Sequence, residues 1–475
     1  MSVTEMPTAN AGSVKPARLI QYFTALSVTM GALSFGTSIG FTSPAGPMMN
    51  ETLSGEEEMM WFNSIINMGA MAGGPMGGLL INVVGRKGSM LGSVVLSLSA
   101  WLLIIFGRNF ASLLSGRIIG GLFMGMTSLV VPTYIGEMAS ADIRGALGSG
   151  FQLMVVIGIL YAYLFGAVID NWRVLAVVCA VPVAIYGVLA FFVKESPTYL
   201  LSKGKEKEAR EALQALRGKE YNIESEFKML RETQEALTRN QVTWRDLMQP
   251  HILKPVIICL LVMVFQQSSG VNAVLFNLGT IFKEAGVGLP ENISAIVVGA
   301  VQVVATGIAA PLLDRAGRKI LLTGSAAVMA LSHIALGVFF YLKEEGEAPG
   351  WLPLTSLMVF IAAFSLGYGP IPWVLMGEMF SLEVRAPASG LATLTNWSVS
   401  FIVTLAYDPM KMAMHEYGAF WFFGGVCTVS TLFCIFVVPE TKGKTVQEIS
   451  AYFGGPAVTQ SQEKPANEER RTEVV

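Results

Sequence analysis

Charge is what this chain has least of. Only 14% of its 475 residues are Asp, Glu, Lys or Arg, against 53% hydrophobic, and the mean hydropathy is +0.56. A soluble protein of this length fills two or three domains and places charge every few residues along its helices. Here charge is segregated. Charge-free runs cover 19–50, 59–85, 88–107, 145–169, 174–193, 255–282, 292–313, 320–342, 348–377, 386–407 and 417–439. One more, 109–136, is broken only by Arg117. Each has the roughly 20 residues that a helix needs to cross a hydrocarbon core of about 30 Å. The expectation is an all-α membrane protein of twelve transmembrane helices.

Cysteine and histidine are scarce as well. Cys179, Cys259, Cys427 and Cys434 all lie inside apolar runs, as small buried hydrophobes do, and give no disulfide framework. His251, His333 and His415 are scattered, with no metal spacing and no nucleophile–base pair, which argues against an intramembrane enzyme and against a metal or cofactor. Nothing points to nucleic acid, and a monomer in the lipid bilayer is expected. The first 18 residues are polar, and the run after them is too long for a signal-peptide core, so it reads as the first span.

The loops set an orientation. Lys and Arg concentrate after the second run (Arg86, Lys87), after the eighth (Arg315, Arg318, Lys319) and in the segment 194–254, whereas the loop after the first run carries Glu51, Glu56, Glu57 and Glu58. The positive-inside rule then places both termini and the central segment in the cytoplasm, in a plasma-membrane or an endosomal or lysosomal protein. Asn50 of Asn50-Glu51-Thr52 falls on the outer side and is the expected glycosylation site, whereas the sequons at Asn292 and Asn396 sit at or within helices.

The chain also repeats itself. Gly85-Arg86-Lys87 closes the second run and Gly317-Arg318-Lys319 the eighth. Glu137 and Arg144 bracket the turn after the fourth run, as Glu378 and Arg385 do after the tenth. Glu195-Ser196 ends the sixth, and Glu440-Thr441 the twelfth. Three marker pairs in one order imply duplication of a six-helix unit, the plan of transporters that work by alternating access, with the binding site near the midplane between the halves. The expected divisions are an N-terminal tail (1–17), a first bundle (18–194), a helical linker (195–250), a second bundle (251–440) and a C-terminal tail (441–475). In the linker, Ala209, Ala212, Leu213 and Leu216 form one helical stripe. It reads either as a solvated connection or as a latch across both halves. The tail after Gly454 reads as disordered, and its final Glu-Val-Val as a weak partner motif.

Several residues carry chemistry. The basic pairs after Gly85 and Gly317 can reach Glu137, Glu195, Glu378 and Glu440, and Arg144 and Arg385 add two further cations. Exposed pairs contribute about 0–1 kcal/mol each, enough as a set to bias two conformations a few kcal/mol apart. Arg117 within the membrane faces a partner or cavity, or else snorkels to the outer interface. Gln152, Gln266, Gln267, Asn272 and Asn396 supply uncharged donors and acceptors suited to a polyhydroxylated neutral ligand, and Trp373 and Trp397 supply flat apolar faces. Gln266 and Asn272 stand six residues apart, about 120° out of register on an ideal helix, so a shared cavity requires unwinding at Ser268-Ser269-Gly270. In the tenth run Gly369, Pro370 and Pro372 predict a broken helix and a mobile gate element.

These strings resemble the sugar porter branch of the major facilitator superfamily over nearly the whole chain, and within it the class III facilitative glucose transporters (types 6 and 8) and arthropod facilitated trehalose transporters. The resemblance is carried by Phe151-Gln152-Leu153-Met154-Val155-Val156-Ile157-Gly158, Asp314-Arg315-Ala316-Gly317-Arg318-Lys319, Gly369-Pro370-Ile371-Pro372-Trp373, Leu394-Thr395-Asn396-Trp397 and Pro439-Glu440-Thr441-Lys442-Gly443. It implies hexose contact by Gln152, Gln266, Gln267, Asn272, Trp373 and Asn396. It also implies an inner ion-pair gate of Arg86, Glu137, Arg144, Glu195, Arg318, Glu378, Arg385 and Glu440. Asn82, Ser268 and Phe276-Asn277 depart from the usual pattern, the last at the position of an outer tyrosine pair. Similar proton-coupled porters carry an aspartate where Phe35-Gly36-Thr37-Ser38 has Ser38. The expectation is facilitative transport of a hexose such as glucose, with a trehalose or other small-sugar facilitator, or a proton-coupled sugar or cyclitol symporter, as the alternatives.

Overall fold

The computed structural model describes residues 16–49, 52–53, 55–239, 248–286, 288–346 and 348–455; the expected glycosylation site at Asn50 and the C-terminal Glu-Val-Val lie outside these. Apolar helices long enough to span a membrane are α1 (Arg18–Met48), α2 (Glu56–Val83), α3 (Gly85–Phe106), α4 (Phe110–Met138), α5 (Arg144–Gly166), α6 (Trp172–Phe192), α7 (Pro250–Phe276), α8 (Glu291–Leu313), α9 (Arg318–Glu344) and α10 (Leu352–Met379). A last stretch, Pro387–Phe436, is broken at Met414 (φ −131°, ψ 16°) and His415 (φ 62°, ψ 172°). It is therefore two helices, α11 (387–413) and α12 (416–436), which completes twelve spans. The first described residues, the linker helices within 206–239 and the last helix, Val446–Tyr452, lie at one end of the helix bundle, the terminal face; α1 and α2 are joined at the opposite end, the far face.

Small residues let the helices of the first half approach closely. A side chain on Gly36 of α1 would sit 1.9 Å from the Val155 carbonyl oxygen of α5, and one on Gly69 of α2 would sit 2.1 Å from that of Ile118 on α4. Such contacts bring backbones together where burial from lipid adds no hydrophobic drive. The halves meet along two seams, α2 against α11 and α5 against α8. Near the far face they are also tied by Gly279 N–H donating to Ser43 Oγ (3.1 Å) and by the Tyr163 hydroxyl donating to the Leu275 carbonyl (3.1 Å).

The linker helices Glu206–Arg217 and Glu224–Arg239 pack on the first half. The stripe read from the sequence is buried: Ala209, Ala212 and Leu213 pack with Leu200, Ile223 and Phe227, and Leu216 joins the main core. Arg217, 2% exposed, fixes the dock by donating to the Met138 carbonyl at the end of α4 (2.7 Å) and pairing with Glu226 (2.6 Å). Its own carbonyl accepts from the Ala17 N–H (2.7 Å). Among the described residues these anchors all belong to the first half, on which the helices form a buttress.

Candidate functional site

The site begins at a break in α7. The helix runs to Ser268, Gly270 adopts φ 79°, and a new turn starts at Val271. Only glycine fits here comfortably, because the left-handed backbone disfavours a side chain and a Cβ would lie 2.7 Å from the Phe423 ring. His333 of α9 holds the break from behind, with Nε2 2.9 Å from the Ser269 carbonyl. The unwinding removes the mismatch between Gln266 and Asn272 that an unbroken helix would impose.

A closed network of neutral groups results. Asn272 Nδ2 donates to Gln267 Oε1 (2.8 Å) and to Ser400 Oγ (2.8 Å). Gln267 Nε2 donates to Asn396 Oδ1 (3.1 Å), and Asn396 Nδ2 to Gln266 Oε1 (2.6 Å). Gln266 Nε2 then reaches the Tyr368 (2.7 Å) and Gly369 (3.0 Å) carbonyls of α10. The sequence explains why Tyr368 has an oxygen to offer. The helical donor for it would be residue 372, and Pro372 has no N–H. A one-turn π bulge over Phe364–Tyr368 precedes this point, so α10 is broken where its glycines and prolines predicted.

Gln152 of α5 and Trp373 of α10 are half-buried and take no part in this network among the described residues. Trp397 stands beside Asn396, its ring 5.9 Å from that of Phe35 and its indole N–H buried without a partner. Phe35 also touches Phe151, next to Gln152, at 6.4 Å. An apolar wall from both halves thus flanks the amides.

Arg117 is 1% exposed, which removes the snorkelling reading. Its guanidinium donates to the Phe62 carbonyl (3.1 Å), the Ser38 carbonyl (2.9 Å) and Thr42 Oγ1 (2.8 Å), and lies over the Phe62 ring. Carbonyls, a hydroxyl and a ring face satisfy the cation, and none of these is an acid.

On the terminal face each half builds the same clasp. In the first, the Arg86 and Lys87 N–H groups donate to Glu195, Arg86 Nη2 pairs with Glu137 (2.5 Å), and Ser196 Oγ donates to Glu137 (2.5 Å). In the second, the Arg318 and Lys319 N–H groups donate to Glu440, Arg318 Nη2 pairs with Glu378 (2.8 Å), and Thr441 Oγ1 donates to Glu378 (2.6 Å). Gly85 (φ 84°) and Gly317 (φ 93°) make the turns, and a Cβ on either would strike the carboxylate of Glu195 or Glu440. Arg144 donates to the Ala139 carbonyl and Arg385 to that of Phe380, capping α4 and α10 alike. Among the described residues, the bonds named for each clasp lie inside one half.

Sequence reasoning missed a set of polar side chains along the α2–α11 seam. Asn67 Nδ2 donates to Thr404 Oγ1 (3.0 Å), Asn63 Nδ2 approaches Asn277 Oδ1 (3.4 Å), and Ser400 joins the network through Asn272. Its only signal was spacing: Asn63 and Asn67, like Ser400 and Thr404, are one helical turn apart. Gln302 of α8 was also passed over; it is 2% exposed and its Oε1 has no partner.

The family model described as sugar (and other) transporter matches residues 24–453. The chain is 40% identical over 448 residues to the facilitated trehalose transporter Tret1 of Apis mellifera ligustica, covering 92% of this chain and 89% of that protein. It is 39% identical over 470 residues to solute carrier family 2, facilitated glucose transporter member 8, of Bos taurus, covering 94% and 96%. Among solved structures, the proton:xylose symporter XylE bound to 6-bromo-6-deoxy-D-glucose superposes with a TM-score of 0.78 at 27% identity, over 92% of this chain and 99% of that one. The inward-open conformation of XylE from E. coli gives 0.77 at 25% identity, over 91% and 99%. With twelve spans in two matching halves, broken seventh and tenth helices and a neutral amide network in the second half, the chain belongs to the sugar transporter family.

Proposed function

We propose that the protein is a uniporter that carries a hexose such as glucose down its gradient by alternating access, with no chemical step and no cofactor. The observation that carries this reading is the uncharged network of Gln266, Gln267, Asn272, Asn396 and Ser400, which offers donors and acceptors to hydroxyl groups but no group to ionise. Sugar contact is assigned to Gln152, Gln266, Gln267, Asn272, Trp373 and Asn396. The break at Gly369, Pro370 and Pro372 acts as the mobile part of α10. The ion pairs Arg86–Glu137 and Arg318–Glu378, with Glu195 and Glu440 accepting from main-chain N–H groups and Arg144 and Arg385 donating to helix-end carbonyls rather than to carboxylates, serve as terminal-face clasps, and the positive-inside rule makes that face cytoplasmic. The chain works as a monomer in the bilayer, and Asn50 is glycosylated.

Uniport is favoured over proton coupling by Arg117. A symporter needs a group that takes up a proton near the transport path, and the contacts of this buried cation are carbonyls and a hydroxyl, with Ser38 supplying its main-chain oxygen. Trehalose is a second reading, favoured by the 40% identity to proteins named as trehalose transporters.

The test is counterflow of labelled glucose and trehalose in proteoliposomes of the purified full chain. Exchange should proceed without a pH gradient, survive an uncoupler and weaken in Gln267→Ala and Asn272→Ala. Concentrative uptake that collapses with the uncoupler defeats the uniport reading; equal exchange in wild type and both variants defeats the assigned site.

A further inference from the structure

The break in α7 leaves one main-chain group without its helical partner. In an unbroken helix the Ser269 carbonyl would accept from the N–H of residue 273. Among the described residues no main-chain N–H donates to it, and the chain resumes with the Val274 N–H donating to the Gly270 carbonyl (2.9 Å). Ser269 is 1% exposed, so bulk water does not reach it. Irregular backbone at membrane depth is tolerated only where the protein satisfies the freed groups. Here the His333 imidazole of α9 does so, with Nε2 2.9 Å away.

A carbonyl can only accept, so Nε2 carries a ring proton and donates it. Nδ1 is buried and has no partner among the described residues, so it is left as a bare acceptor on a neutral ring. Aromatic groups box the imidazole. Between ring centroids, Phe360 of α10 stands at 4.2 Å, and Phe423 and Phe420 of α12 at 5.7 Å and 6.0 Å. Phenylalanine would fill the same box with no bare nitrogen to bury. What histidine adds is one N–H aimed at one carbonyl.

That carbonyl sits in the middle of the site. Ser269 lies two residues after Gln267 and three before Asn272, the pair joined across the break at 2.8 Å. Its hydroxyl donates back to the Gln266 carbonyl (2.7 Å), and the Gly270 N–H donates to that of Gln267 (3.1 Å). Phe423, which packs on the imidazole, is also the ring that a Cβ at Gly270 would strike. The Ser269–Gly270 peptide is thus tied both to α9 and to the helix end that carries the two glutamines. Without the His333 N–H it would turn toward another donor and carry Asn272 away from Gln267.

We propose that His333 is a positioning residue for the sugar site: its N–H, acting through the Ser269 carbonyl, holds the α7 break in the conformation that sets Asn272 against Gln267. His333 itself touches no sugar, because the aromatic box and the Ser269 main chain enclose it. The proposal rests on the sugar-transport reading above and deepens it, placing control of affinity behind the binding surface.

The test compares three variants of the full chain. His333→Phe keeps the ring and loses the donor. His333→Gln carries an amide N–H to about the reach of Nε2, and His333→Asn carries the same group too short. In counterflow of labelled glucose in proteoliposomes, the Phe and Asn variants should raise the half-saturation about fivefold or more, with the maximal rate within about twofold of wild type. The Gln variant should stay within about twofold on both. Hydrogen exchange of segment 265–277 reads the same effect without sugar: protection should fall in the Phe and Asn variants and be kept in the Gln variant. Wild-type half-saturation in all three overturns the proposal. So does an equal rise in the Gln and Asn variants, since ring packing rather than the N–H would then be what counts; that pair decides even where the Phe variant does not fold. If wild type exchanges no glucose, the sugar reading fails by itself, and unchanged protection of 265–277 across the set is then the result that overturns the role of His333.

Discussion

Asn272 reaches back across the α7 break to Gln267, Nδ2 to Oε1 at 2.8 Å, and so makes the two sides of an interrupted helix into one binding surface. The contact exists because Gly270 reverses the backbone between them. On a continuous helix the two side chains would lie on different faces. The interruption is therefore part of the site rather than a defect beside it.

The first prediction follows from that contact. Gly270→Ala should reduce glucose exchange about tenfold or more, because a side chain at φ 79° meets the Phe423 ring and the break must move. Ser268→Ala, at the end of the helix before the break, should have little effect. Initial counterflow rates over a range of sugar concentrations check this.

The two terminal-face turns give a second. Gly85→Ala and Gly317→Ala place a methyl group 2.2 Å and 2.7 Å from a Glu195 or Glu440 oxygen, on backbones that disfavour any side chain. Gly204 has a similar φ of 72° but open space around it. Its alanine variant should therefore lose only the backbone cost, about 1 kcal/mol, and the other two substantially more. Thermal unfolding in detergent, followed by tryptophan fluorescence, ranks the three.

Acid should loosen the second clasp. Burial pushes the Glu440 carboxyl up, but main-chain N–H donors at Lys442, Arg318, Lys319 and Thr441 outweigh it and hold the group below its ordinary value. A carboxyl lowered by folding contributes stability above the unfolded value, and that contribution is lost as pH falls through the folded value. The midpoint of thermal unfolding should drop on acidification through and below the ordinary carboxylate range, and Glu440→Gln should flatten that drop while lowering the midpoint at neutral pH.

Arg217 supports a fourth prediction. Arg217→Ala removes the bond to Met138 and leaves Glu226 without its cation, so the linker should come away from the first bundle. Limited proteolysis should cut within 206–239 faster in the variant than in wild type. Glucose exchange should fall by less than the cleavage rate rises.

Much of this architecture was legible in the residues. Twelve spans followed from the segregation of charge, and the two halves from Gly85-Arg86-Lys87 and its echo at Gly317-Arg318-Lys319. The α7 break was legible because two amides needed a common face and Gly270 stood between them. Contacts that join distant helices were not. Asn63 and Asn67 announce only that they share a face; that Thr404 and Asn277 oppose them depends on how α2 and α7 meet α11. The linker stripe told which side of the helix would be buried, but not which bundle would bury it. Arg117 left two readings because depth alone does not reveal the carbonyls of Ser38 and Phe62 that surround it.

The twin clasps set where motion is permitted. Among the described residues the bonds named in them stay within their own bundles, so those bonds need not break when the bundles tilt past each other. Each half travels as a pre-assembled block, and the resistance to a stroke falls on the few hydrogen bonds that cross the seam, Asn67 to Thr404 and Tyr163 to Leu275 among them. Turnover speed is then a property of the seam, and it can be tuned there without loosening either block.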